Sequence, residues 1–257
     1  MPLDSYEERF QNQAVANQTP MIPRIIHYCW FGRGPMPEMA QRCIASWHRY
    51  MPDYKYKLWD ENNFDINSNI YVREAYEAHK YAFVSDYVRL FALYNEGGIY
   101  MDTDVEVLKH YDDLLHLTGF IGFEGSKRKP IGTGTIACLA GGQWVKEQLD
   151  AYNGIHFYRE DGSFDLTTNP VRITSIMRAG GFVQNGNECV YKDMHVFPTE
   201  FFCPRQTTGE YFLTENTYCD HHFMGSWDDS SKGSVLKRVI GDKNMTRLIK
   251  LKRILLG

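Results

Sequence analysis

Long apolar runs are what this sequence most lacks. Nowhere do its 257 residues hold about 18 uninterrupted apolar side chains, so the sequence carries no signal for a membrane-crossing helix. The opening stretch MPLDSYEERFQNQAVANQTP has no apolar core either, and reads as a polar leader rather than a secretory signal. Paired cysteines are also absent. Cys29, Cys43, Cys138, Cys189, Cys203 and Cys219 are scattered with no C-x-x-C spacing, which signals neither a zinc site nor a disulfide framework. Reduced thiols in a cytosol fit that pattern best. With no internal repeat and no low-complexity segment, solenoid and linker architectures drop out as well.

What is present suits a globular chain. A hydrophobic content of 43% can bury an ordinary core in one large domain or two small ones, and the 14% aromatic content reads mainly as core filling. The net charge of −4 is unevenly placed. From Lys232 to Gly257 eight basic residues face one acid, Asp242, so that this tail carries +7 and the remainder −11. The segment NMTRLIKLKRILLG within the tail alternates basic with aliphatic residues. It suits an amphipathic helix lying on an anionic membrane surface, and equally a terminal helix packed on the body with a solvated basic face. The acidic body argues against a nucleic-acid partner.

Along the chain, IPRIIHYCWFG reads as a buried strand, EMAQRCIASWHRYMP as an amphipathic helix and YKYKLWD as a second strand. This order implies an α/β sheet with crossover connections. The stretch YVREAYEAHKYAFVSDYVRLFALYNEGG is helical, broken near Ser85 and stopped by Gly97 and Gly98. GIYMDTDVEVL follows as strand, acidic turn and strand. Beyond it GFIGFE and IGTGTIACLA supply strands, GQWVKEQLDAY and TNPVRITSIMRAGG helices, ECVYKDMHVFPTEFFCP a hairpin, and YCDHHFMGSW a strand running into a loop.

Asp102 and Asp104 therefore fall where a strand ends, the place where α/β sheets gather ligands. Two carboxylates on one bend suit a hard divalent cation such as Mn²⁺ or Mg²⁺. An acidic turn alone explains them as well, since Asp is a favoured turn residue. The helix upstream adds weight to the metal reading: among apolar neighbours, Asp86, Arg89 and Glu96 form a narrow polar strip leading into the turn.

The segment FVSDYVRLFALYNEGGIYMDTDVEVL resembles the D-x-D sugar-binding region of retaining glycosyltransferases of the GT-A fold. The similar groups are bacterial capsular-polysaccharide transferases, yeast initiating α-1,6-mannosyltransferases and, more distantly, the clostridial toxin glucosyltransferase domain. Ser85, Asp86, Arg89, Gly97, Gly98, Tyr100, Asp102 and Asp104 match the pattern S-D-x-x-R, helix, G-G-x-Y-x-D-x-D. IPRIIHYCWFG resembles the family's first strand, where Tyr28 and Trp30 are the candidates for holding the nucleotide base. HHFMGSW resembles its closing loop, where a histidine joins the metal and Ser226 and Trp227 meet the diphosphate. Neighbours on an extended segment face opposite ways, so only one of His221 and His222 is expected at the metal, and His222 is the preferred one.

The resemblance implies a mixed-sheet GT-A domain over residues 21–230, with a donor-binding core to about 125 and an acceptor region beyond. A leader, 1–20, and a basic tail, 231–257, flank it. It implies transfer of a hexose or N-acetylhexosamine from a nucleotide diphosphate sugar, a UDP-sugar foremost, to a glycan or lipid-linked glycan, with retention, as in surface or capsular polysaccharide synthesis. Mn²⁺ or Mg²⁺ would rest on Asp102, Asp104 and His222, Asp104 in direct contact. Asp86 and Arg89 would grip sugar and ribose hydroxyls. The expected location is the cytoplasm, peripheral at the inner membrane face through the tail. Two other readings stand beside it. A haloacid-dehalogenase-type phosphatase shares D-x-D, but its pattern has Thr or Val where Glu106 stands here. A non-catalytic sugar-binding module would have no leaving diphosphate for the metal pair to neutralise.

Overall fold

Seven strands form one mixed sheet in the order β2-β1-β3-β6-β5-β8-β7. The computed structural model describes residues 20–125, 130–205 and 211–225. The strands are β1 (Ile25–Cys29), β2 (Lys55–Trp59), β3 (Gly98–Met101), β5 (Gly119–Phe123), β6 (Ile131–Cys138), β7 (Cys189–Tyr191) and β8 (Met194–Phe197). β2, β1 and β3 run parallel, while β6 lies antiparallel to both β3 and β5. The α/β class with a mixed central sheet, expected from the sequence, is the class found. A separate ribbon pairs β4 (Val105–Val107) antiparallel with β9 (Cys219–His221).

The helices are α1 (Glu38–Tyr50), α2 (Ile70–Glu77), α3 (Tyr81–Glu96), α4 (Gln143–Asp150), α5 (Asn169–Ala179) and the short α6 (Thr199–Phe202). They bury two cores. One gathers Val84, Val88, Tyr100, Trp144, Tyr152 and Ile173, and the other Trp47, Ile99, Tyr111, Phe120, Phe202 and Tyr218. Most of the large fully buried side chains are aromatic, as the core-filling reading of the rings expects. All six cysteines are free thiols.

Two elements differ from expectation. The long helical region breaks at His79, which takes a left-handed φ of 56°, and not at Ser85. Ser85 stays helical, its hydroxyl donating to the Tyr81 carbonyl one turn back, 3.2 Å away, as serines inside helices commonly do. Glu96 leaves the expected polar strip and pairs with Lys57 of β2 at 2.5 Å.

The junction of α3 and β3 sets the site. Gly97 (φ 64°) stops α3, its N–H donating to the Leu93 carbonyl, and Gly98 (φ 97°) starts β3. A Cβ on Gly98 would lie 2.6 Å from the Ile25 carbonyl oxygen, so bare backbone is what lets β3 press against β1. His27 of β1 fastens the same point. Its Nδ1 accepts from Trp59 Nε1 at 3.1 Å, which leaves Nε2 to donate to the Gly97 carbonyl at 2.8 Å.

Among the described residues, those up to His222 form one compact unit, and Phe223–Gly225 belong to a second. The leader, Ser226, Trp227 and the tail 231–257 lie outside the described residues, as does the expected boundary near 230. Among the described residues no helix is long and apolar enough to cross a membrane.

Candidate active site

The site forms where α3, the end of β3 and β9 meet. One turn of α3 separates Asp86 from Arg89, so both side chains leave the same face. Both are buried, and Arg89 Nη2 lies 3.0 Å from Asp86 Oδ1. Arg89 then reaches across to the acidic turn, with Nη2 3.2 Å from Asp102 Oδ1 and Nη1 3.4 Å from Asp102 Oδ2. Nη1 also donates to the Thr133 carbonyl at 2.7 Å, and Nε to the Ser85 carbonyl at 3.3 Å. The guanidinium thus makes three hydrogen bonds and two further ion-pair contacts, all with protein groups. Burial alone would lower the Arg89 pKa, but Asp102, Tyr100 and Asp86 more than offset it and hold the group charged.

Asp102 is fixed from several sides. Tyr100 Oη donates to its Oδ1 at 2.9 Å, and its backbone N–H donates to Gly134 of β6 at 2.8 Å. The Val105 N–H closes a tight turn onto the Asp102 carbonyl at 3.0 Å, which sets Asp104 two residues from Asp102 on one bend. Trp47 and Ser46 of α1 hold β4 behind this turn, through Trp47 Nε1 to the Val105 carbonyl at 2.7 Å and the Val107 N–H to Ser46 Oγ at 2.8 Å.

The register of β4 with β9 decides between the two histidines. Val105 pairs with His221, and the His221 ring turns to Asp104, Nε2 to Oδ1 at 3.3 Å. His222 instead donates its backbone N–H to the Asp104 carbonyl and places its own Nε2 2.9 Å from Glu106. Neighbouring residues do face opposite ways here, as expected, but the one beside the acids is His221 and not the preferred His222. Ligand atoms of Asp102, Asp104 and His221 lie within 4.8 Å of one another, a set of two hard oxygens and one imidazole that fits Mn²⁺ or Mg²⁺. Burial pulls the His221 pKa down, yet the Asp104 charge carries it well above its ordinary value in the metal-free protein. Gly134 is part of this cradle, because a Cβ there would lie 3.0 Å from His221 Nδ1.

Asp86 faces a different neighbour, Asn169, which opens α5. The Asn169 N–H donates to Asp86 Oδ2 at 3.0 Å and its side-chain amide to the Asp86 carbonyl at 2.8 Å, while Tyr152 Oη holds the amide oxygen at 2.7 Å. Burial pushes the Asp86 carboxyl up to about 6, with Arg89 pulling the other way. Tyr28 and Trp30 are both half-buried. Tyr28 meets Trp47 edge-on at 5.4 Å, and Trp30 donates its indole N–H to the Gly34 carbonyl at 2.6 Å. Sequence reasoning missed Asn169 and Glu124, which follows β5. The signal for Glu124 was present, since an acid closing an apolar strand repeats the pattern that drew attention to Asp102.

Residues 37–120 match the family model "Glycosyltransferase sugar-binding region containing DXD motif". That stretch carries Asp86, Arg89, Asp102 and Asp104, so the resemblance drawn from those residues stands on an independent comparison. The chain is 32% identical over 122 residues to inositol phosphoceramide mannosyltransferase 3 of Schizosaccharomyces pombe, covering 45% of this chain and 33% of that protein. It is 25% identical over 187 residues to "Subversion of eukaryotic traffic protein A" of Legionella pneumophila, covering 61% of this chain and 29% of that protein. The chain therefore spans about a third of the length of these relatives. Among solved structures, "PaToxG Glycosyltransferase" superposes with a TM-score of 0.48 at 19% identity, covering 68% of this chain and 77% of that one.

Proposed function

We propose that this chain is a metal-dependent retaining glycosyltransferase of the GT-A type. It moves a hexose or N-acetylhexosamine from a nucleotide diphosphate sugar to a glycan, lipid-linked at the inner membrane face. The observation that carries this reading is the convergence of Asp102, Asp104 and His221 into one ligand set, beside a buried Asp86 held on the same guanidinium as Asp102. A bound diphosphate is what such a set is built to face, and a non-catalytic module would have no use for it. The phosphatase reading is weakened by Asp102 itself. A carboxylate gripped on both oxygens by Arg89 is a poor nucleophile toward phosphorus.

Asp104 and His221, with Asp102, would hold the divalent cation, whose charge offsets that of the departing nucleoside diphosphate. Arg89 positions rather than grips: with its donors on protein acceptors, it fixes Asp102 for the metal side and Asp86 for the sugar side. Asn169 and Tyr152 brace Asp86 from the other flank. Tyr28 and Trp30 present half-exposed rings for the base, which ring stacking recognises by its face. No side chain is assigned as a covalent nucleophile, so the acceptor hydroxyl attacks from the face the diphosphate leaves and gives its proton to the departing phosphate oxygen, which returns the original anomeric configuration.

The test is calorimetric titration of Mn²⁺ and of UDP-glucose, UDP-N-acetylglucosamine and GDP-mannose, followed by donor hydrolysis assays. Metal-dependent binding and hydrolysis of at least one donor is expected. His221→Ala should weaken Mn²⁺ binding by at least about tenfold, and His222→Ala should leave it within about twofold. If no nucleotide sugar binds in the presence of Mn²⁺, the reading fails.

A further inference from the structure

One acid at the site has no task in the scheme above. Glu124 directly follows β5, its backbone N–H bonded to the Pro130 carbonyl at 2.8 Å. Its side chain lies across Gly132 of β6, where the absence of a Cβ makes the room. A Cβ at Gly132 would sit 3.1 Å from Glu124 Cβ and 3.2 Å from Oε2. The carboxylate comes within 4.8 Å of both a His221 nitrogen and Cys203 Sγ. It is only partly exposed, yet among the described residues it accepts no hydrogen bond and forms no ion pair. The other three site acids are all engaged: Asp86 by Arg89 and Asn169, Asp102 by Arg89 and Tyr100, Asp104 by His221.

A recessed carboxylate without a donor among the described residues, with the Asp102 charge close enough to act on it, is costly to maintain. A site retains such a group when a ligand supplies the missing donor. The ligand chemistry follows from position. Glu124 neighbours His221, which stands with the acids proposed to face the diphosphate, and the group bonded directly to that diphosphate is the sugar in transit. Sugar hydroxyls are donors, and an ionised carboxylate is purely an acceptor. A metal shared with Cys203 is the less favoured occupant, because its thiol already donates to the Arg205 carbonyl at 3.6 Å and a soft sulfur suits neither Mn²⁺ nor Mg²⁺.

We propose that Glu124 is a sugar-reading residue: its carboxylate accepts a hydrogen bond from a hydroxyl of the hexose being transferred. This rests on the glycosyltransferase reading. It adds a contact that discriminates among donors, because a buried acceptor left unpaired by the wrong sugar penalises that sugar strongly.

The experiment compares the wild-type chain with Glu124→Gln, Glu124→Ala and, as a control, Asp104→Asn. Calorimetry measures affinity for Mn²⁺ alone, for UDP and GDP with Mn²⁺, and for UDP-glucose, UDP-N-acetylglucosamine and GDP-mannose with Mn²⁺. Melting temperatures are read alongside. The expected result is selective. Both Glu124 variants bind the preferred nucleotide sugar about ten- to a hundredfold more weakly. Their affinities for Mn²⁺ and for the sugar-free nucleotide stay within about twofold, and they melt no lower than wild type. The proposal is overturned if nucleotide and nucleotide sugar weaken equally, if Mn²⁺ affinity falls as it does in Asp104→Asn, or if nothing changes. The first result, with a lowered melting point, would give Glu124 to the fold, and the second would make it a metal ligand. A wild-type chain that binds no nucleotide sugar at all sinks the glycosyltransferase reading itself, a result distinct from each of these.

Discussion

Arg89 shows how much one side chain can hold. Its guanidinium joins α3, the acidic turn and β6 through three hydrogen bonds and two ion-pair contacts, and the Tyr100 ring lies against it at 4.6 Å. Removing it would leave the buried Asp86 and the partly buried Asp102 without their cation. Arg89→Ala should therefore cost about 3–5 kcal/mol of stability in urea unfolding, and Arg89→Lys should rescue only part, since an ammonium cannot reproduce the planar fork. His27 gives a second test, with pH as the variable. Burial lowers its pKa, while the Gly97 carbonyl and Glu96 pull upward and Lys57 downward. The folded form thus stays neutral below the unfolded value of 6.5, where the unfolded chain takes up a proton. Its contribution to stability is complete above pH 6.5 and is lost as pH falls, by at most about 1.4 kcal/mol per unit. Asp86 and Glu124, raised in the fold, drive stability the other way over part of that range, so the comparison is between proteins. Relative to His27→Gln, wild type should lose stability on acidification from pH 6.5 to 5, and parallel curves would refute this.

Among elements, the α3–β3 junction carries the most. A Cβ on Gly98 meets a backbone carbonyl at 2.6 Å and its φ of 97° is one that side chains resist. Gly98→Ala should destabilise the fold by about 1–3 kcal/mol, seen as a lowered melting temperature, and should weaken Mn²⁺ binding because β3 aims the turn. This junction was legible in the sequence because its parts are local: Asp86, Arg89, the two glycines and both aspartates fall within one helix–strand step. The helix break was misread for an equally local reason. Serine is a common punctuator, but Ser85 bonds back into its own helix, while a left-handed His79 leaves no mark in composition. The choice of His221 over His222 was out of reach. It depends on how β9 registers against β4, which lies more than a hundred residues away, and alternation predicts only that the two rings diverge. Glu124 carried a local signal, but its place beside His221 did not, since its neighbours Gly132, Cys203 and His221 come from β6, the residue after α6, and β9.

For the molecule as a whole, the separation of charge is the feature with a consequence for place. The body carries −11 and the tail +7. Truncation after residue 242 should release the protein from vesicles containing phosphatidylserine while leaving donor hydrolysis unchanged, and vesicle binding that persists would remove the tail from any role at the membrane. Within the body, the shared guanidinium of Arg89 also sets a limit on change. Asp86, proposed for the sugar side, and Asp102, proposed for the metal side, hang from one fork, so altering one should shift the other's geometry. Attempts to redirect sugar choice through Asp86 should disturb cation affinity as well, and paired substitutions at the two positions should combine non-additively. Donor preference is then more readily retuned from the Glu124 side, which Arg89 does not hold. In an evolving lineage, new sugars would enter by that route while the fork stays unchanged.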